Sequence, residues 1–246
     1  MSTSSLWRGL NAGAQAQMQI RDYTVATLAQ RLESSGVQVG ELSGGPTVEL
    51  RESWIPGVEI FPRTIWQQQQ RGWFGEFARQ NDPNSILTKL GLWPRQWATA
   101  LMFAQSAKGF HIHPPFIPEG EPPEAWFQRV FLAAPVDYSL RPYHREQWDV
   151  MFFLQGTCEM FLLDERAGLP RRRMRFVIEG DSRPGRNNAG VVIPAGVAHA
   201  IRSVSSADLI MVYGTSTQFV PEHEGRLHCG VETAALPEEW ARYFSG

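Results

Sequence analysis

From residue 45 onward, glycine and proline break the chain roughly every ten residues, and the runs between them are short and rich in β-branched and aromatic side chains. That spacing suits strands and leaves little room for the crossover helices on which a parallel α/β sheet depends. Strand candidates are 149–154, 158–163, 175–178, 190–193 and 207–213, with Gln155-Gly156 as a hairpin turn between the first two. Helical patterning is confined to two places. Val25, Leu28, Ala29 and Leu32 recur at helical spacing between a capping Asp22 and a terminating Gly36, and a second pattern covers 237–244. The expected fold is all-β, a single jelly-roll barrel over 46–246, preceded by a loosely held arm and a short helix within 1–45.

The 246 residues are 43% hydrophobic, enough for one substantial core or two modest ones. Lys+Arg 23 against Asp+Glu 25 leaves a formal net charge of -2, so no global basic field exists to hold nucleic acid or an anionic bilayer. Neither is an expected partner, and an anionic ligand must be met by a local pocket. Cys158 and Cys229 stand far apart, outside any spacing that suggests zinc or dithiol chemistry. The first residues lack the pattern of a secretion signal, and no apolar run reaches the length of a membrane span, so a cytoplasmic location is expected.

Two stretches break the strand rhythm. Residues 114–142 carry many prolines and acids and are expected to form a long loop or irregular insertion near a functional mouth. Arg171, Arg172, Arg173 and Arg175 form a basic cluster on an alternating segment, which suits a solvated strand face better than a phosphate site.

The strongest local signal is Pro194-Ala195-Gly196-Val197-Ala198-His199, in which Pro and Gly shape a tight turn that aims a histidine inward from the next strand. His111 and His113, two apart, fall on one face of a strand. Asp149 opens the strand that ends at Gly156. Together these resemble the two sequence motifs of the cupin superfamily, a small jelly-roll barrel whose mouth holds a metal or a polar substrate.

A narrower resemblance rests on five short matches in order. Arg71-Gly72-Trp73-Phe74-Gly75-Glu76-Phe77 is similar to the RGxFxExF segment of the dTDP-4-dehydrorhamnose 3,5-epimerase family, and Lys108-Gly109-Phe110-His111 to its RGLH. The segment 190–199 resembles its strand and turn ending in GxAH, Met211-Val212-Tyr213 its tyrosine strand, and Phe219-Val220-Pro221-Glu222-His223-Glu224 its YxPEHE. The resemblance implies epimerisation of a nucleotide-linked 4-keto-6-deoxy sugar, with His111 as base and Tyr213 as proton donor. It implies substrate binding by Arg71, Phe74, Glu76, Lys108, His113 and His199, a homodimer in which the Arg71 to Glu76 segment reaches the neighbouring site, and no cofactor. The chemistry is coherent: a carbon acid beside a ketone needs a base on one face, a proton donor on the other and stabilisation of the enolate between them.

The chain also departs from that family. The insertion replaces a short loop, Asp149 stands near the place of a lysine, His113 replaces a glutamine, and the aspartate that pairs with the base has no evident counterpart, with Glu238, Glu239 and Asp208 as candidates. Leu140-Arg141-Pro142-Tyr143-His144 offers a second match to the histidine motif, too far from Arg71 to be preferred. Two other functions stay open. One is a metal-dependent dioxygenase or isomerase using His111, His113, Asp149 and His199, since imidazole with carboxylate suits Fe, Mn, Ni or Zn. The other is a non-catalytic cupin that binds nucleotide sugars.

Overall fold

The computed structural model describes residues 21–23, 46, 48–67, 72–133, 140–141, 143–185, 187–227 and 238–244. Among the described residues, two larger antiparallel sheets face each other as a jelly roll. The larger sheet joins, in spatial order, β1 (Arg21–Tyr23), β2 (Val48–Arg51), β10 (Arg173–Glu179), β9 (Thr157–Asp164), β12 (Val197–Ser203), β7 (Ala107–Ile112) and β14 (Gly225–Arg226). The smaller joins β3 (Glu59–Pro62), β11 (Ala189–Ile193), β8 (Asp149–Gln155), β13 (Leu209–Thr215) and β6 (Gln96–Met102). A separate ribbon pairs β4 (Thr64–Gln67) with β5 (Trp73–Glu76), and among the described residues two α-helices lie outside the sheets, α1 (Ile86–Leu90) and α2 (Pro123–Leu132). No helix among the described residues is long and apolar enough to cross a membrane.

Side-chain alternation sorts the strands. In β10, Met174, Phe176 and Ile178 are buried while Arg175 and Val177 are exposed, the pattern of a strand with one face on the core. Central strands β8 and β11 bury nearly every residue instead, because both their faces are covered. One core joins the sheets, with Phe152, Val191, Met160 and Leu162 among its fully enclosed members.

Several expectations need correction. Gln155-Gly156 is not a hairpin turn: β8 belongs to the small sheet and β9 to the large one, so Gly156 is a corner at which the chain changes sheet. Its φ of 84° favours glycine, and a Cβ there would lie 2.8 Å from the Asp208 carbonyl oxygen. The insertion is not all loop. Prolines 122 and 123 sit where a helix begins, Glu124 lies in the first turn, and α2 buries Trp126, Phe127, Val130 and Phe131 against the barrel. Asp22 does not open a helix, because residues 21–23 pair with β2; the rest of that expected helix, like the arm before it, lies outside the described residues. The terminal helix is a 3-10 segment over Glu238–Tyr243.

The insertion is tied down by buried charge. Arg166 bonds Asp164 through Nε at 2.7 Å and Nη2 at 2.9 Å, donates to the Pro56 carbonyl at 2.9 Å, and lies 3.9 Å over the Phe131 ring of α2. Both charged side chains are fully enclosed, at 0% exposure. The adjoining Glu165 N–H donates to the Gly196 carbonyl at 3.2 Å, and the Gly196 N–H donates to the His113 carbonyl at 3.0 Å. The latch therefore abuts the turn that launches His199. Nearer the insertion's ends, buried Glu146 accepts from the Phe116 N–H and the Trp148 indole, each at 2.7 Å. Burial, ahead of those bonds, pushes its carboxyl up to about 7. The arginine cluster is only partly a solvated strand face: Arg175, on β10, is exposed and meets Glu49 at 2.7 Å, and Arg171, before the strand, meets Glu165 at 2.6 Å, but Arg172 is buried and donates to the Ser53 hydroxyl at 2.7 Å.

Candidate active site

A cavity of about 270 Å³ lies between the two sheets. The large sheet supplies one wall through β7, β12 and β14, and the small sheet supplies the other through β6, β8 and β13. Period-two alternation decides what faces inward: Asp149 and Met151 on β8, Met211, Tyr213 and Thr215 on β13, His199 and Ile201 on β12. One end is polar. The other is floored by Ala100, Met102, Met211 and Ile201.

The polar end is a dense charge network. His113 Nε2 and His199 Nε2 lie 3.3 and 3.4 Å from the same oxygen, Asp149 Oδ2. Gln147 donates from Nε2 to Asp149 Oδ1 at 3.0 Å, and the same nitrogen is 3.1 Å from His113 Nε2. Glu224 stands across the site, its two carboxylate oxygens each 3.7 Å from an Nδ1, that of His111 and that of His113. Arg226 donates to Glu224 at 2.9 Å. The rings of His111 and His199 stack at 5.7 Å, as their ladder pairing across β7 and β12 requires.

These neighbours set the ionisation states. Burial works against an ionised Asp149, yet the His113 imidazole outweighs it and holds the carboxyl at about 2. Burial likewise works against a His113 cation, but Asp149, followed by Glu224, raises its pKa above the ordinary value. For His199 burial wins and lowers the pKa to about 4, so that ring is neutral at pH 7. Burial opposes ionisation of Glu224, but the His111 hydrogen bond, the His113 charge and Arg226 bring it to about 2. Burial and the nearby Asp149 and Glu224 raise Tyr213, which keeps its phenol protonated at neutral pH.

Of the residues singled out in the sequence, His111, His113, Lys108, His199, Tyr213 and Asp149 line this one cavity. Phe74 and Glu76 do not. Phe74 is exposed on the β4–β5 ribbon and stacks on Trp66 at 5.5 Å, while Glu76 is held bidentately by Arg79 and borders a second cavity of about 340 Å³. Arg71 lies outside the described residues. His144 is exposed, bonded by Arg145, and absent from the cavity lining, whereas His111 lies on that lining. Asp208 caps the Ala104 N–H at 2.9 Å and is no partner for His111.

Sequence reasoning missed the roles of Glu224, Arg226 and Gln147. Gln147 had a legible signal, since it lies two residues before Asp149 and shares its face. Glu224 closes the Phe219 to Glu224 match and so was visible as a residue, but its pairing with His111 was not, because β14, the two-residue edge pairing that brings Glu224 and Arg226 there, is too short to leave a pattern.

No protein-family model and no curated protein matches the chain. Solved structures do. A double mutant of a 3'-monoepimerase from Streptomyces bikiniensis in complex with dTDP aligns at a TM-score of 0.51 and 17% identity, over 76% of this chain and 78% of that one. A dTDP sugar isomerase from Desulfovibrio desulfuricans G20 aligns at a TM-score of 0.50 and 12% identity, over 71% and 88%. At such identities the likeness is one of fold.

Proposed function

We propose that the chain is an epimerase or isomerase of a nucleotide-linked 4-keto-6-deoxy sugar, working by proton transfer at the carbon beside the ketone. The observation that carries this reading is the opposition of His111, on the large sheet, to Tyr213, on the small sheet, across one cavity. A base and an acid on opposite walls meet opposite faces of a bound ring, which is what inversion at carbon requires.

His111 removes the proton and the ketone oxygen takes up the negative charge. Glu224, 3.7 Å from His111 Nδ1, orients the ring and favours the imidazolium that forms. It supplies the anion for which the sequence offered only Glu238, Glu239 or Asp208. Tyr213 delivers its phenolic proton to the opposite face and is reprotonated from solvent, while His111 returns the proton it took to solvent, so the sugar is inverted with no net change in protons. Lys108 and Arg226, also on the lining, favour an anionic substrate. The cavity's volume of about 270 Å³ suits the sugar ring, with the nucleotide outside. Support from the fold is secondary: similar barrels are those of a 3'-monoepimerase variant in complex with dTDP and of a dTDP sugar isomerase. Phe74 and Glu76 lie away from this cavity, in keeping with the proposal that they serve a neighbouring subunit in a homodimer.

The test is incubation in heavy water with dTDP-, UDP- and GDP-linked 4-keto sugars. Deuterium enters the sugar with wild type and not with His111→Ala, while Tyr213→Phe exchanges without completing inversion. No exchange across the whole panel would overturn the reading.

A further inference from the structure

Outside the cavity, the arginines before and within β10 hold a charge arrangement that the proposed reaction does not use. Arg173 and Arg51 are direct cross-strand partners in the pairing of β10 with β2. Alternation puts both on the outer face of the large sheet, since their neighbours Met174 and Leu50 are buried in the core. Directly opposite residues carry their Cβ atoms about 4.5–5.5 Å apart, and like charges in that position destabilise a sheet. Arg171, just before β10, brings a third positive charge to bear on Arg173.

The surrounding arginines are each answered by an acid. Arg175 meets both Glu49 and Glu159, Arg202 meets Glu159, and Arg171 meets Glu165. The side chains of Arg51 and Arg173, by contrast, make no hydrogen bond or ion pair among the described residues. Arg173 Nε is nonetheless shut away from solvent. Burial, then the charges of Arg51 and Arg171, push the Arg173 pKa below its ordinary value, and Glu165 alone works the other way. Two facing guanidiniums, one with an enclosed and unmatched N–H, carry a cost that an anion between them removes.

We propose that Arg51 and Arg173, flanked by Arg171, bind a phosphate group on the outer face of the large sheet. None of the three lines the cavity, so the site is separate from the proposed epimerisation and stands independently of it. Guanidinium N–H groups grip phosphate oxygens in pairs, and arginines approaching from several directions match a tetrahedral group better than the two coplanar oxygens of a carboxylate. Free phosphate and a phosphate ester present the same oxygens to such a site. Glu49, which shares the outer face of β2 with Arg51, does not compete for it, because Arg175 holds that carboxylate at 2.7 Å. The sequence pattern suggested a solvated face because it shows the arginines of one strand and not the one that β2 sets opposite them.

The full chain is melted at equal ionic strength in inorganic phosphate, glycerol 3-phosphate, acetate or chloride. With an affinity of about 1 mM, phosphate at about 10 mM raises the melting temperature by about 3–6 °C, while acetate and chloride move it by less than about 1 °C. A response to inorganic phosphate alone marks a site for the free ion, and a response to both phosphates marks one that takes esters as well. Arg51→Gln and Arg173→Gln each lose the response, whereas Lys108→Ala, altered inside the cavity, keeps it. No response to either phosphate, an equal response to acetate, a response kept in both arginine variants, or its loss in Lys108→Ala overturns the proposal. The comparison of phosphate with acetate uses the unaltered chain, so a variant that fails to fold does not blunt it. If phosphate binds as described and no sugar hydrogen exchanges, this site stands and the epimerase reading falls.

Discussion

Asp164→Ala probes how the turn bearing His199 and the insertion helix are held together. The substitution leaves Arg166 enclosed without the carboxylate it grips at 2.7 and 2.9 Å, and Arg172, 3.6 Å from the same carboxylate, loses that partner too. Unit charges 2.7 Å apart attract by about 6 kcal/mol at an effective dielectric constant of about 20. Relaxation and water entry return part of this, and breaking a buried pair from one side costs about 3–5 kcal/mol. In a domain of this size each kcal/mol moves the melting temperature by about 2–4 °C. Asp164→Ala is therefore expected to melt about 6–20 °C below wild type, with a matching loss in urea unfolding at pH 7. Replacing both partners, Asp164→Leu with Arg166→Met, keeps apolar contact with Phe131 and is expected to recover most of that loss. A single variant within about 1 kcal/mol of wild type, or a double variant as unstable as the single, refutes a buried latch.

Glu224→Gln removes the anion beside His111 while keeping its shape, and is expected to slow sugar exchange by about 10–100-fold with little change in KM; a rate within twofold of wild type counts against the pairing. Burial raises Glu146 from 4.5 to about 7, so its contribution to stability is full below pH 4.5 and is lost as pH rises through about 7. Compared with Glu146→Gln, which cannot ionise, wild type should lose up to about 3 kcal/mol between pH 5 and pH 8 in denaturant titrations, and a constant difference contradicts the raised value. Gly109 has φ 115°, and a Cβ on it would lie 2.6 Å from the His199 carbonyl oxygen. Gly109→Ala should force β7 off β12 between the two histidines, costing about 1–3 kcal/mol and most of the exchange activity; unchanged melting and activity refute that contact.

The strands that the sequence marked well are those whose signals are local. Residues 149–154, apolar after Asp149 and closed by Gly156, and residues 190–193, apolar after Gly190 and closed by Pro194, appear almost unchanged as β8 and β11. Connections were harder, because whether Gly156 makes a hairpin or a corner depends on which sheet each flanking strand joins, and the apolar runs on both sides are alike. Proline misled in the insertion: the residues that suggested a loop at 122–123 are the ones that start α2. At the site, His111 and His113 could be paired from a period of two, and Pro194 to His199 from turn chemistry. Glu224 could not be assigned to His111, since 113 residues separate them and only β14 brings them together.

Asp149 belongs to one sheet, while His113 and His199 extend from the other, so their contacts form a seam across one end of the barrel. The opposite end, around Ala100, Met102, Met211 and Ile201, is lined mainly by apolar side chains, but beyond it the sheets are fastened again. The chain itself crosses between them at Gly156, the Asp181 N–H donates to the Phe153 carbonyl at 3.0 Å, and Asp181 meets Arg63 in an enclosed ion pair at 2.6 Å. The two sheets are thus clamped at both ends, which fixes the width of the slot between them. Amide protons of β13 near Met211 and near Thr215 should exchange in one common opening, and earlier exchange at Met211 contradicts the clamp.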